Sequence, residues 1–136
     1  MIKAIKISTS KEKEIVDVTD NVKRIVKESG VKEGICNIYV PHATAGITIN
    51  ENADPLVKED IIKALDNLIP EGGWKHNRVD NNGAAHIKAS IIGNSQTIPI
   101  KSNELMLGHW QNIFFCEFDG PRGDRIIIIA IIESKQ

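Results

Sequence analysis

The 136-residue chain lacks most of the features that would announce a partner or a compartment. Seventeen basic residues stand against 18 acidic ones, a net charge of −1, so no global field recruits nucleic acid or an anionic membrane. Its two cysteines, Cys36 and Cys116, are far apart and form no CxxC pattern. That excludes a disulfide scaffold and leads us to expect a reducing cytoplasm. The longest aliphatic run, Ile126–Ile132, is far too short to span a bilayer. Met1-Ile2-Lys3 leads straight into a strand pattern, so no signal peptide is expected. Internal repeats, low-complexity linkers and the HExxH metal motif are also missing.

What is present favours one β-rich domain over residues 1–136. Isoleucine greatly outnumbers leucine, which suits strands, and a chain of this length buries roughly two-thirds of its unfolded surface. Ile2–Ile7 reads as a strand partly covered on both faces, and Glu14–Val18 as a shorter one. Thr19 or Asp20 is expected to cap a helix that carries Val22, Ile25 and Val26 and ends at Gly30. A second helix is expected after Asp54-Pro55, with Val57, Ile61, Ala64, Leu65 and Leu68 as its apolar stripe and Pro70 as its stop. A third runs from Gly83 to about Ile92. Thr97–Ile100 reads as a strand that Pro99 confines to an edge or bulge. Leu105–Phe118 reads as a strand with Trp110 and Gln111 near its start. Asp119–Asp124 is a turn, and Arg125–Ile132 is expected to be a central strand buried on both faces. The pattern predicts an α+β fold, a mainly antiparallel β-sandwich with a few helices packed on one side.

The stretch CNIYVPHATAGITINENADP, Cys36–Pro55, organises the rest. Cys36, Ile38, Val40 and His42 share one parity, and Ile47, Ile49 and Glu51 another, which predicts a hairpin joined through Ala43-Thr44-Ala45-Gly46. It ends in Asn50-Glu51-Asn52. The long polar segment Glu71–Asn82 carries Trp74 and His76, and loops of that length in compact domains are more often functional than idle. His86 falls in the first turn of the third helix, where the helix dipole disfavours protonation and free N–H groups can hold an anion. Local capping by Asn82 is the plain alternative. Were His42, His76 and His86 to converge, they would leave an open, water-bearing position on a divalent ion such as Zn²⁺ or Mg²⁺, with Glu51 or Glu117 as general base. The catalytic candidates are therefore His42, Glu51 and His86.

Three motifs in order, HATAGITINENADPLVKED, KH-x9-HIKAS and S-x2-IPI-x4-LMLGHWQNI, resemble the YjbQ-like family, also called the secondary thiamine-phosphate synthase family. The resemblance is clearest from Val40 to Ile132. It implies that the family's three histidines are His42, His76 and His86, that Asn50-Glu51-Asn52 is its Asn-Glu-Asn, and that Trp110-Gln111 is its Trp-Gln. It also implies a homotrimer with the histidine region near a subunit contact, and a phosphorylated small-molecule substrate. The implied reaction joins a hydroxymethylpyrimidine diphosphate to a thiazole phosphate with loss of pyrophosphate. Asn82, Gly83 and Arg122 would hold phosphate and Trp110 the heterocycle, with Asn50 and Gln111 also binding substrate. The alternative is a non-enzymatic trimer that binds a small phosphorylated ligand or a metal. The chain departs from the family pattern at Asn103, where Gly is preferred, and at His109, where Thr is.

Overall fold

The computed structural model describes residues 1–135. In order they form β1 (Ile2–Ile7), β2 (Glu14–Asp17), α1 (Thr19–Ser29), β3 (Glu33–Tyr39), β4 (Ala45–Asn50) and α2 (Leu56–Leu68). A 3₁₀ turn (Lys75–Arg78), α3 (Gly83–Ile92), β5 (Ser95–Lys101), β6 (Glu104–Leu105), β7 (Asn112–Glu117) and β8 (Arg125–Glu133) complete the chain. The strands make two wholly antiparallel sheets, β1-β8-β3-β5-β6 and β2-β7-β4. This is the α+β sandwich that the sequence predicts. No helix among the described residues is long and apolar enough to cross a membrane.

The main core lies between the sheets. Cys36, Ile38 and Val40 from the β3 segment, Ile127, Ile129 and Ile131 from β8, Ile47 from β4, and Ile113 and Phe115 from β7 meet there, with Val22, Ile25 and Val26 of α1 at one margin. The second face of the three-stranded sheet carries Phe114 and Cys116, and these pack on Leu65 of α2 and on Ala85 and Ala89 of α3. The helices α2 and α3 therefore lie on one side, and among the described residues nothing covers the outer face of the five-stranded sheet.

Several expectations change. The Cys36–Pro55 stretch is not a hairpin: β3 pairs with β5 and β8, β4 pairs with β7, and the chain crosses from one sheet to the other between them. Alternation looks the same in both cases, because each strand buries one face whichever sheet it joins. The strand buried on both faces is β7, not β8. Ile127, Ile129 and Ile131 point into the core, while Ile126 and Ile132 are exposed. β1 is likewise half-covered, since Ile2 is exposed and Ile5 and Ile7 pack on the core. On α2 the stripe is rotated: Leu65 is buried and Leu68 lies in solvent. The residue before α1 is Val18. Thr19 instead buries its hydroxyl against Asp17 and accepts the N–H of Ile113 at 2.8 Å. Trp110 and Gln111 precede β7 rather than belonging to it.

Gly46 matters for a reason other than backbone freedom. A Cβ there would sit 2.6 Å from the Gly93 carbonyl oxygen and 3.0 Å from Ile92 Cγ2, because the end of α3 lies directly on β4. Asn103 does occupy a left-handed conformation, φ 62°, which explains why this position suits Gly or Asn. Its amide also donates to the carbonyls of Val26 (2.9 Å) and Val31 (2.8 Å), bonds that a glycine could not make.

Gly46→Ala should cost ~1–3 kcal/mol, the usual penalty for overpacking a close contact. The urea midpoint measures it, with Gly72→Ala as control because a Cβ at Gly72 meets nothing within 4 Å. Equal midpoints for the two variants would contradict the close approach.

Candidate functional site

His42 sits in the crossover between the sheets. Two residues past the Tyr39–Ile128 pair, the β3–β8 register would place Pro41 opposite Ile126. Proline has no N–H to continue a ladder, and here the chain leaves the sheet. The vacated position is filled by a side chain: the Ile126 N–H donates to His42 Nε2 at 2.9 Å. A neutral imidazole has one acceptor and one donor nitrogen, so Nδ1 carries the proton. Burial lowers the pKa of His42, and the nearby Arg125 guanidinium lowers it further against the opposing pull of Glu117 and Asp124. Protonation would also set an N–H at Nε2 against the Ile126 N–H.

His86 reaches the same place from α3. With His42 it lines a cleft of about 180 Å³, walled by Ala43, Ala45, Ala89, Ser90 and Asn94. Two backbone bonds hold the crossover to α3: Val40 N–H donates to the Asn94 carbonyl (2.8 Å) and Ile47 N–H to the Gly93 carbonyl (3.0 Å). His76 joins from the 3₁₀ turn, its ring edge-to-face on His86 with centroids 4.6 Å apart. Its Nε2 lies 3.5 Å from Asp80 Oδ2 but makes no hydrogen bond and is shielded from solvent. The three histidines are thus neighbours in series rather than three donors facing one point. His42 Nε2 is already engaged, and no group of three or more His, Cys, Asp or Glu among the described residues is arranged to hold a metal ion. The expected Zn²⁺ or Mg²⁺ triad does not form within this chain.

The other candidates divide between two ends of the three-stranded sheet. Asn82 and Arg122 lie at the histidine end and both bond the Asp119 carboxylate, at 2.8 and 3.0 Å. The Gly83 N–H, expected to meet an anion, donates instead to Asn77 Oδ1 at 2.8 Å, and a Cβ at Gly83 would collide with Trp74. Asn50, Glu51, Trp110 and Gln111 lie at the other end, because β4 runs from Ala45 opposite Glu117 to Asn50 opposite Asn112. That separation is roughly 17–20 Å for a six-residue strand. Glu51 is therefore not brought to His42 within the chain. Trp110 is exposed against His109, and Gln111 Oε1 accepts the Gly108 N–H. Asn50 caps the Glu51 N–H, while Asn52 and Asn112 donate to Asp17. Burial raises the pKa of Asp17, but the bonds from Thr19 and Asn52 and the charge of Lys58 outweigh it and lower the pKa.

Glu117 is fully buried and fully bonded. It accepts from Nε and Nη2 of Arg125, from Thr9 Oγ1 at 2.7 Å and from the Asp119 N–H at 3.1 Å. Burial alone would raise its pKa, yet these donors lower it, so it stays ionised and is no poised base. Arg125 and Thr44, which touch the His42 turn, were missed from sequence. The available signal was an arginine and a glutamate set in two otherwise apolar strands, RIIIIAII and IFFCEF.

Comparison with known proteins agrees with this architecture. The family model described as UPF0047 protein YjbQ-like matches residues 3–134. A UPF0047 protein of Methanocaldococcus jannaschii is 55% identical over 135 residues, 99% of this chain and 96% of that protein. The Bacillus subtilis UPF0047 protein YugU is 46% identical over 125 residues, 90% of this chain and 92% of its own length. Among solved structures, a protein of unknown function from Sulfolobus solfataricus superimposes with a TM-score of 0.95 at 40% identity, covering 98% of this chain and 97% of its own. An uncharacterised Clostridium acetobutylicum protein does so at 0.91 and 50% identity, covering 96% and 99%. None of these descriptions carries an activity. With no metal-holding group formed either, the expectation of thiamine-phosphate synthesis at a metal-assisted histidine site is overturned. The chain belongs to the UPF0047, YjbQ-like family.

Proposed function

We propose that the protein is an enzyme performing metal-independent proton transfer on a small oxyanion-bearing molecule in the His42–His86 cleft. The observation that supports it is a histidine held in one protonation form by the backbone, beside a second histidine over a small cleft. His42 offers Nδ1–H as a donor to a substrate oxygen, and a neutral imidazole in that role stabilises negative charge as it develops. His86 is the proton acceptor, and its ring lies edge-to-face against that of His76. A cleft of about 180 Å³ limits the substrate to a small molecule, for which phosphate and carboxylate are the oxyanions to compare.

The same reading takes the working form to be a homotrimer. Ile2, Ile35, Tyr39, Ile126 and Ile132 are all exposed on the uncovered face of the five-stranded sheet. An open groove of about 550 Å³ at one end of that sheet is lined by Ile35, Ile100, Met106 and Ile132 together with the charged Glu33, Lys101 and Glu133. Apolar area on this scale is what self-association removes from water.

A panel of small phosphorylated and carboxylated molecules tests the activity. His42→Gln and His86→Gln should each lower turnover by ~10²–10⁴, while EDTA leaves it unchanged. Stoichiometric retained zinc with EDTA-sensitive turnover would overturn the metal-free reading, and binding without turnover would favour the ligand-binding alternative.

The lowered pKa of His42 gives a pH dependence of known sign. The unfolded chain binds its proton at about pH 6.5, before the folded one does. The contribution of His42 to stability is complete above that pH and declines as pH falls through it toward the folded value. Urea midpoints measured from pH 7.5 to 5.5 should fall more steeply for wild type than for His42→Gln. Parallel slopes would contradict it.

A further inference from the structure

The cleft histidine is anchored to a buried ion pair. Arg125 and Glu117 are 5% and 1% exposed and form a two-pronged pair between β8 and the end of β7. A buried pair of this kind tolerates little misplacement, because either partner alone would be an uncompensated charge. Glu117 is fixed in turn by Thr9 Oγ1 and the Asp119 N–H. The guanidinium has one further use. Its Nη2 donates to Thr44 Oγ1 at 2.9 Å and faces the Thr44 carbonyl at 3.5 Å, and that carbonyl also accepts the Phe118 N–H at 3.2 Å. Thr44 is buried and lies two residues beyond His42 in the crossover. Arg125 also immediately precedes Ile126, whose N–H occupies His42 Nε2. The pair thus fixes both ends of one short circuit: the strand residue that donates to the ring, and the turn that carries the ring.

We propose that Arg125, held by Glu117, is a positioning residue that, through Thr44 and Ile126, fixes His42 so that only its Nδ1–H faces the ligand. This deepens the acid–base reading above and rests on it. The consequence is a ligand that brings a hydrogen-bond acceptor, an anionic or carbonyl oxygen, to His42. A ligand offering only donors finds no partner on that ring. Nδ1 fits this role because it has no hydrogen-bond partner among the described residues and is not among their solvent-shielded unpaired atoms. The ordinary structural function of a buried ion pair would be served without any contact to Thr44. That contact is what the proposal uses.

The experiment is ¹⁵N NMR of the histidine rings in the whole protein without ligand. Wild type should show His42 as a single neutral tautomer, with Nδ1 protonated and Nε2 an acceptor. Thr44→Val removes the hydroxyl at nearly constant shape and should turn this into an average of two tautomers, while amide spectra of the sheets remain those of wild type. Thr44→Ser keeps the hydroxyl and should restore the single form. Arg125→Lys keeps charge beside Glu117 but loses the fork, and should behave like Thr44→Val. Inorganic phosphate, added to each, should shift the His42 ring in wild type and Thr44→Ser and do so at least several-fold more weakly in Thr44→Val. Unchanged ring signals and phosphate response in Thr44→Val would overturn the positioning role, even if Arg125→Lys fails to fold. Because the rings are read without turnover, that failure would leave the acid–base reading standing. Loss of that reading in activity assays would leave the ring measurement valid.

Discussion

The site depends on two backbone hydrogen bonds that cross between the layers. The carbonyls of Gly93 and Asn94, at the end of α3, accept from Ile47 in one sheet and Val40 in the other. They close the crossover as a clamp, and His42 is in the closed segment. The same residues end the helix that carries His86. A single junction therefore sets the separation of the two rings, and Gly46 is a glycine because any side chain would force that junction open. Small residues line the cleft for a related reason. Ala43, Ala45 and Ala89 leave the room that larger side chains would fill.

Much of the fold was legible in the sequence, since short strands rich in isoleucine and three helical stripes leave few architectures. What alternation cannot report is the partner of a strand. Cys36–Val40 and Ile47–Ile49 bury one face each, as a hairpin would, yet they face one another across the core instead of pairing. The isoleucine run of β8 misled for a complementary reason. A strand with one face open to solvent is usually polar on that face, and Ile126 and Ile132 are not. β8 is an interior strand, paired with β1 and β3 as expected, but its apolar run reflects an exposed outer face and not burial on both faces.

The histidines were legible as residues but not as geometry. His42, at a strand end, and His86, at a helix start, line one cleft, and His76, from the polar loop, touches His86. Nothing in the sequence told that the acceptor nitrogen of His42 is consumed by a backbone amide, which removes it from a ligand triad. The Asn-Glu-Asn and Trp-Gln motifs illustrate the opposite error. Asn52 and Asn112 serve a half-buried Asp17 at the far end of the sheet, where Thr19 completes the set. A motif shared with a family identifies the fold it belongs to. Which end of the fold it serves is decided by strand register.

The account rests on His42 being built into the sheet as an acceptor in place of the missing strand carbonyl. A scalar coupling across the hydrogen bond, between the amide nitrogen of Ile126 and Nε2 of His42, measures that bond directly in ¹⁵N-labelled protein. The account predicts a resolved coupling at pH 7.5 that vanishes as the ring is protonated, together with slow exchange of the Ile126 amide. A rapidly exchanging Ile126 amide with no coupling to His42 at any pH would contradict it.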